Sequence, residues 1–559
     1  MAIVEERPLV EERDLWVAPE DDRETQPLPG PAPIKVRLRP PERAAARTRF
    51  RETDPPVDVT RLPVVGKLIA QVLASRKFQF FAILPNQIVF WAVILLGLIA
   101  TWLTPNRSFG VVITWYWWFA LVFVMMVVVG RMWCNMCPFG GFAEWLQRKA
   151  FWKRTQKALG LGWKMPERWA GHGLLLSAIA FIVLTWFEEF FNIAGPGPAY
   201  DTSWMVVSII GSAIIFFLVF ERRTFCRYVC PLSSLIGSVG GMGTVAGFRT
   251  RDREKCISCP TKDCMRGNES AFGCPWYTWP GSAETNLFCG LCSECYKACP
   301  YDNVGLYVQK PLTSVVAPLR RRFDVAIAVA LLLGLVVFQQ VNALNVYASV
   351  DGWLTKYTKI PYPNPIDYVL GIAAATLVVL ACATVMRAVL ARREVAVARG
   401  KAPVGALATK GESSGATKKI ASSWRQWFLP LAYGLIPITG ADYFSRQVPK
   451  LYLHAPRVIA SVAQPLGWHT GLYNLTIIGQ KVKDFGSLPN HIMWQVIGIQ
   501  VGLMGVGLIA SLWVMDRIAR RDLVKLSDHP VLARALPVFL VLAIGLCMML
   551  LYIPMQAAT

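Results

Sequence analysis

Long apolar runs separated by short polar segments dominate the chain from about residue 88 onward. By inspection they fall at 88–104, 111–130, 172–188, 204–220, 324–345, 367–386, 427–444, 491–515 and 535–553. Each approaches the roughly 20 apolar residues a helix needs to cross a hydrocarbon core. The pattern predicts a mainly α, polytopic helical membrane protein with about nine transmembrane helices. The seventh run is the weakest, being short and interrupted by Pro430 and Pro437.

Basic residues orient these runs. Segments 131–171, 221–323, 387–426 and 516–534 hold 8, 14, 9 and 5 Lys+Arg, whereas 105–110, 189–203, 346–366 and 445–490 hold 1, 0, 2 and 5. The richer set is expected on the cytoplasmic side, with the N-terminus. Omitting the seventh run would reverse the last two helices and place Arg517, Arg520, Arg521 and Lys525 outside, so nine spans fit better.

Composition narrows the class. With 54% hydrophobic and 17% charged residues, the chain is too apolar for a disordered protein or an ordinary soluble enzyme. The net charge of +22 is then explained by Lys and Arg retained on one membrane face, and no nucleic-acid partner is needed. Residues 1–60 are polar and rich in Pro and acidic groups, which predicts a disordered arm. No apolar leader stands near the start, so no cleavable signal peptide is expected. Residues 396–424, rich in Gly, Ala, Ser and Lys, read as a flexible linker. The expected units are the arm at 1–60, a four-helix membrane domain at 75–230, a cytoplasmic double-cluster module at 231–323, and a C-terminal membrane domain of about five helices at 324–559.

Of 14 cysteines, twelve lie in tight, Pro-terminated groups between residues 134 and 300, which is metal-ligand spacing. Cys289-Gly-Leu-Cys292-Ser-Glu-Cys295-Tyr-Lys-Ala-Cys299-Pro300 is the run of bacterial two-cluster ferredoxins, whose fourth cysteine serves the other cluster. The partner run is Cys256-Ile-Ser-Cys259-Pro-Thr-Lys-Asp-Cys264, followed by Cys274-Pro275. Crossed ligation assigns Cys256, Cys259, Cys264 and Cys299 to one 4Fe–4S cluster. It assigns Cys289, Cys292, Cys295 and Cys274 to the other. Structural zinc also accepts four thiolates, but it has no use for two interleaved quartets each closed by Cys-Pro. The upstream run departs from standard spacing, with four residues before its third cysteine.

Two further pairs end the first and second helical hairpins: Trp133-Cys134-Asn-Met-Cys137-Pro138 and Phe225-Cys226-Arg-Tyr-Val-Cys230-Pro231. Cys134, Cys137, Cys226 and Cys230 make a third quartet if the hairpin ends meet. Three readings stand: a third metal or iron–sulfur centre, redox-active dithiols, or inert thiols at helix ends. Cys382 and Cys547 lie inside apolar runs and read as core residues.

Four helices with a Cys-Pro motif after each pair, then a double ferredoxin module, resemble the NosR/NapH-type membrane polyferredoxins, a broad group that includes the CcoG copper-oxidase maturation proteins. The likeness covers about residues 75–323. It implies a bacterial inner membrane, clusters on the cytoplasmic side, and electron transfer between a ferredoxin-like soluble protein and quinone or a quinol-linked periplasmic pathway. The alternative it carries is a CcoG-like copper reductase acting in oxidase assembly. NosR proteins carry a flavin-binding domain ahead of the helices where this sequence has a 60-residue polar arm. The CcoG group carries an immunoglobulin-like domain where this sequence has further apolar helices, and residues 324–559 have no counterpart in the likeness.

Other signals read as structural. His454, His469 and His491 lack ligand spacing and are expected to be hydrogen-bonded at the interface. Glu188, Glu189 and Asp201 read as solvated loop charges, with a role in proton transfer as the minority reading. The aromatic run Thr114-Trp-Tyr-Trp-Trp-Phe119 reads as an interfacial belt in preference to a quinone pocket.

Overall fold

The computed structural model describes the chain from Pro56 to Tyr552, apart from 105–106, 153–158, 167–168, 170, 195–197, 319–320, 343, 361–363, 392–422, 464, 467–473, 475, 478–479 and 482–489. The arm expected at 1–60 and the linker expected at 396–424 lie outside the described residues, except for 56–60 and 423–424.

Among the described residues, eight helices are long and apolar enough to cross a membrane: Phe78–Ile99, Phe109–Arg148, Gly173–Phe190, Ala199–Val219, Phe323–Val341, Pro365–Leu390, Trp494–Leu526 and Pro530–Leu550. They match eight of the nine apolar runs. The seventh run differs, forming two ten-residue helices, Arg425–Gly434 and Ile436–Ser445, that meet at Leu435. Pro437 opens the second of these, where its missing N–H costs no helical hydrogen bond. Trp427, Phe428 and Leu431 are fully buried, so this broken element is core.

The Phe323–Val341 helix is the most enclosed, with 72% of its apolar window buried against 28–44% for the other seven. It packs on Gly173–Phe190 of the cysteine-bearing half and on Pro365–Leu390 and Arg425–Gly434 of the C-terminal half. One apolar core therefore runs across residue 324, from Phe123, Phe181 and Leu235 to Trp427, Leu431 and Val541.

The ferredoxin-like segment is built on a three-stranded antiparallel sheet in the order β1-β3-β2, with β1 at Val57–Asp58, β2 at Val245–Thr250 and β3 at Val304–Val308. The end of the expected disordered arm is thus an edge strand, with Val57 opposite Val308 and Asp58 opposite Tyr307. Asp58 is held by an ion pair with Arg251 at 2.9 Å. A register shift between Val245 and Gly247 marks a bulge in β2, and Gly247 takes the positive φ (+90°) that the bulge requires.

Candidate iron–sulfur centres and the membrane cavity

Local chain geometry presents the ferredoxin-like cysteines. Cys256 lies in the short helix Arg253–Ser258, started by Asp252, whose side chain accepts from the Glu254 and Lys255 N–H groups. The third cysteine of each run sits one position inside a one-turn helix, Asp263–Arg266 for Cys264 and Glu294–Ala298 for Cys295. Each turn is preceded by a left-handed residue, Lys262 (φ 50°) and Ser293 (φ 60°). The longer upstream spacing is therefore absorbed before Lys262, and the two runs present their third cysteine in the same way.

Cys256, Cys259, Cys264 and Cys299 line one small hollow. Cys295 lies within electrostatic reach of Cys274, Cys289 and Cys292. These are the groupings the crossed assignment expects, and Cys264 of the first group also lies within reach of Cys295. The Cys-Pro cysteines are treated alike: Thr278 N–H donates to Cys274 Sγ at 3.4 Å and Asn303 N–H to Cys299 Sγ at 3.3 Å. Backbone donors of this kind stabilise thiolates. Thr250 Oγ1 lies 2.9 Å from Cys256 Sγ. A Cβ on Gly247 would stand 3.2 Å from Cys289 Sγ, so only glycine leaves that sulfur clear.

The hairpin ends bring the remaining four cysteines together. The residue before a proline is disfavoured in helical geometry, and Cys137 (ψ 124°) and Cys230 (ψ 119°) both leave the helix in extended form. Helices restart at Pro138 and Leu232. The second pair has one more intervening residue, taken up by a π-turn at Phe225–Val229 in which Cys230 N–H donates to Phe225 carbonyl at 2.8 Å. Cys226 then lies within electrostatic reach of Cys134, Cys137 and Cys230. Gly140 abuts this quartet, since a Cβ there would stand 3.0 Å from Cys226 Sγ.

Burial pushes the thiols of Cys226, Cys230, Cys264, Cys292 and Cys295 up, and neighbouring sulfurs add to the effect for all five. Loading metal must expel those protons. Two observations fit the donor sets to iron–sulfur clusters. All twelve donors are thiols. Buried polar groups without a partner lie beside the quartets in sequence: the amide of Asn135, the hydroxyl of Ser293 and the indole N–H of Trp276. Cluster sulfides would accept from such groups.

The quartets share one packed core. Cys226, Cys264, Cys274, Cys292 and Cys295 are buried in it, with Cys134, Cys230, Cys289 and Cys299 against it. Arg223, fully buried, feels the charge of both Cys226 and Cys292. It donates to Glu144 Oε2 at 2.9 and 2.6 Å and to the Cys134 carbonyl at 2.6 Å. Arg131 reaches the Leu287 carbonyl at 2.7 Å and lies over the Trp276 ring at 4.5 Å. These arginines join the membrane helices to the ferredoxin-like module, and single-sequence spacing gave no sign of them.

Beyond the hairpin quartet lies a cavity of about 340 Å³. Cys134, Cys137, Cys226 and Cys230 line it, as do Trp115, Trp118, Phe119 and Phe181, and so do Glu188, Glu189, Gln339, Arg446 and Lys450. Glu189 Oε1 accepts from Gln339 at 2.7 Å, and the Gln339 side-chain oxygen accepts from Arg446. Burial pulls the Lys450 ammonium below its usual value, while Glu188 and Glu189 pull it back up. Glu188 and Glu189 therefore line a cavity and are not the solvated loop charges their sequence context implied. Trp115, Trp118 and Phe119, read as an interfacial belt, also face that space.

The other residues singled out in the sequence lie apart. His454 stacks on Tyr116, with ring centroids 4.3 Å apart, and its Nδ1 is buried without a partner. His469 lies outside the described residues, as does the side chain of His491. Cys382 is half-buried, and Cys547, read as core, is exposed on its helix.

A family model described as a 4Fe-4S binding domain matches residues 111–157 and 202–243. The two matched stretches contain Cys134, Cys137, Cys226 and Cys230 and none of the eight ferredoxin-like cysteines. No curated protein matches the chain, and no solved structure matches it. The chain thus carries a 4Fe-4S binding domain on the hairpins of a polytopic helical framework.

Proposed function

We propose that the protein is a membrane electron carrier in which three 4Fe–4S clusters link a soluble redox partner to quinone in the bilayer. Cys256, Cys259, Cys264 and Cys299 hold the first, Cys274, Cys289, Cys292 and Cys295 the second, and Cys134, Cys137, Cys226 and Cys230 the third. The observation that carries this reading is the single core containing cysteines of all three quartets, which ends at a membrane cavity. Bound clusters supply one-electron chemistry. The chain's part is to hold the thiolates, donate hydrogen bonds to sulfur and exclude water. The family match on the hairpins favours a centre there over free dithiols. Likeness to NosR/NapH-type polyferredoxins supports quinone as the membrane partner. The basic segments beside the clusters support a bacterial inner-membrane orientation with the module inside, and they suit an acidic ferredoxin-like donor.

Iron and acid-labile sulfide counts on purified protein test the assignment. About 12 irons per chain are expected from three cubanes, falling to about 8 in Cys226→Ser. A wild-type count of about 8 would remove the third centre. In vesicles, quinone should reoxidise dithionite-reduced wild-type protein faster than Cys226→Ser. Equal rates would sink the proposed order of centres.

A further inference from the structure

We infer that the cavity beside the hairpin quartet binds a hydroquinone-type carrier, and that Glu189, braced by Gln339 and Arg446, takes its proton. This rests on the electron-transfer reading above and gives its membrane end a location and a proton acceptor.

The cavity combines features that suit such a ligand. Its volume of about 340 Å³ lies at the lower end of the range for small-molecule pockets, roughly 300–1,000 Å³. Trp115, Trp118, Phe119 and Phe181 line the cavity, which suits a flat apolar ring. Four thiol-bearing residues stand at one part of the lining and an ionisable group at another. A lipid tail would have no use for that polar group, and intramembrane carboxylates paired with cations mark functional paths. Within the group the hydrogen bonds have a direction. The Gln339 amide donates to Glu189 Oε1 while its carbonyl accepts from Arg446, and Glu189 Oε2 is buried with no partner. The free oxygen is the available proton acceptor. Lys450 and Arg446 can balance the carboxylates before they are protonated.

The reaction balances within this space. Both O–H bonds of the hydroquinone break, and its protons pass to Glu189 and Glu188. Both C–O bonds become C=O as its two electrons leave one at a time; a 4Fe–4S cluster held by Cys134, Cys137, Cys226 and Cys230 would supply the one-electron acceptor. Reduction of quinone is the reverse.

The test uses the full-length, cluster-loaded protein in lipid vesicles with a decyl-substituted benzoquinone as probe. Binding is read as saturable quenching of tryptophan fluorescence, which requires no turnover. Electron transfer is read as reoxidation of dithionite-reduced clusters. Thr185 also lines the cavity, and Thr185→Phe, which fills part of that space, should weaken quenching about tenfold, the scale of an overpacked site. Glu189→Gln should leave quenching and dithionite reduction within about twofold of wild type, since the change is isosteric. The same variant should slow reoxidation about a hundredfold and flatten its pH profile, as expected for loss of a proton acceptor. An azido-quinone should label wild-type peptides that carry cavity residues, a measurement independent of any variant.

Labelling elsewhere, unchanged quenching in Thr185→Phe, or a wild-type pH profile in Glu189→Gln overturns the inference. Fast reoxidation in a Thr185→Phe protein with wild-type quenching sinks the cavity assignment and leaves the electron-transfer reading standing. Saturable quenching without any wild-type reoxidation does the reverse.

Discussion

Glu144 offers a sharp test of how the ferredoxin-like module is seated. Its carboxylate, buried at the end of a membrane-spanning helix, accepts from Gln79 at 3.0 Å and from Arg223 at 2.9 and 2.6 Å, and pairs with Arg148 at 2.5 Å. Arg223 has a fully buried side chain, whereas Arg148 keeps 11% exposure. Removing the carboxylate with Glu144→Ala therefore strands Arg223 far more than Arg148. A buried charge left without its partner costs about 3–5 kcal/mol. For a cooperative unit of a few hundred residues this lowers the apparent melting temperature by about 10 °C. Glu144→Leu combined with Arg223→Met removes both charges and should recover most of the loss, because apolar replacement of a buried pair is often neutral. The assay is thermal unfolding of the detergent-solubilised protein across the four corners of the cycle. Loosening should show first in the module, because Arg148 also lies over Phe272 at 3.7 Å. Two results would refute the reasoning: a Glu144→Ala protein melting within about 2 °C of wild type, or a double variant as unstable as the single.

Three further outcomes follow from separate sites. Gly247→Ala places a methyl group 3.2 Å from Cys289 Sγ at a φ of +90°, so iron content should fall by about four per chain; an unchanged count would show that the bulge relaxes. Asp58→Ala removes the ion pair to Arg251 and the cap on the Thr60 N–H at 3.0 Å. That costs on the order of 1–3 kcal/mol locally and should speed hydrogen exchange at Tyr307 and Val308, with no change counting against the edge-strand assignment. His454 is pulled down to about 4 from its ordinary 6.5 by burial, with Arg457 and Lys450 adding to the shift. Its folded value is depressed, so the unfolded chain binds the proton more readily between the two values. Stability is thus complete above about pH 6.5 and declines as pH falls toward about 4. His454→Asn should flatten that decline in a melting series, and an equally steep slope would exclude His454 as its source.

Much of the framework was legible along the chain because its causes are local or one-dimensional. Crossing a bilayer requires an unbroken apolar run, so eight helices stand where the hydropathy placed them. Cubane ligation requires thiolates at short spacings, so a crossed assignment could be proposed from the letters between Cys256 and Cys299 alone. Pro430 and Pro437 marked the seventh run as irregular, and the chain does break at Leu435. The edge strand at Val57–Asp58 was missed because two residues next to a Pro-rich arm carry no periodic signal, and their partners lie about 250 residues further on.

The sequence by itself determined the chemistry: twelve thiols in Pro-terminated groups, set among apolar runs with the positive charge on alternate connections. Whether those thiols stand apart or share one packed core was decided by the tertiary structure. So was the setting of Glu188 and Glu189, whose Gln339, Arg446 and Lys450 neighbours come from helices at least 150 residues later in the chain. Ligand spacing is a property of a short peptide and can be read from its letters. Burial, charge pairing and the walls of a cavity depend on which distant helices meet, and that is settled only when the whole core packs.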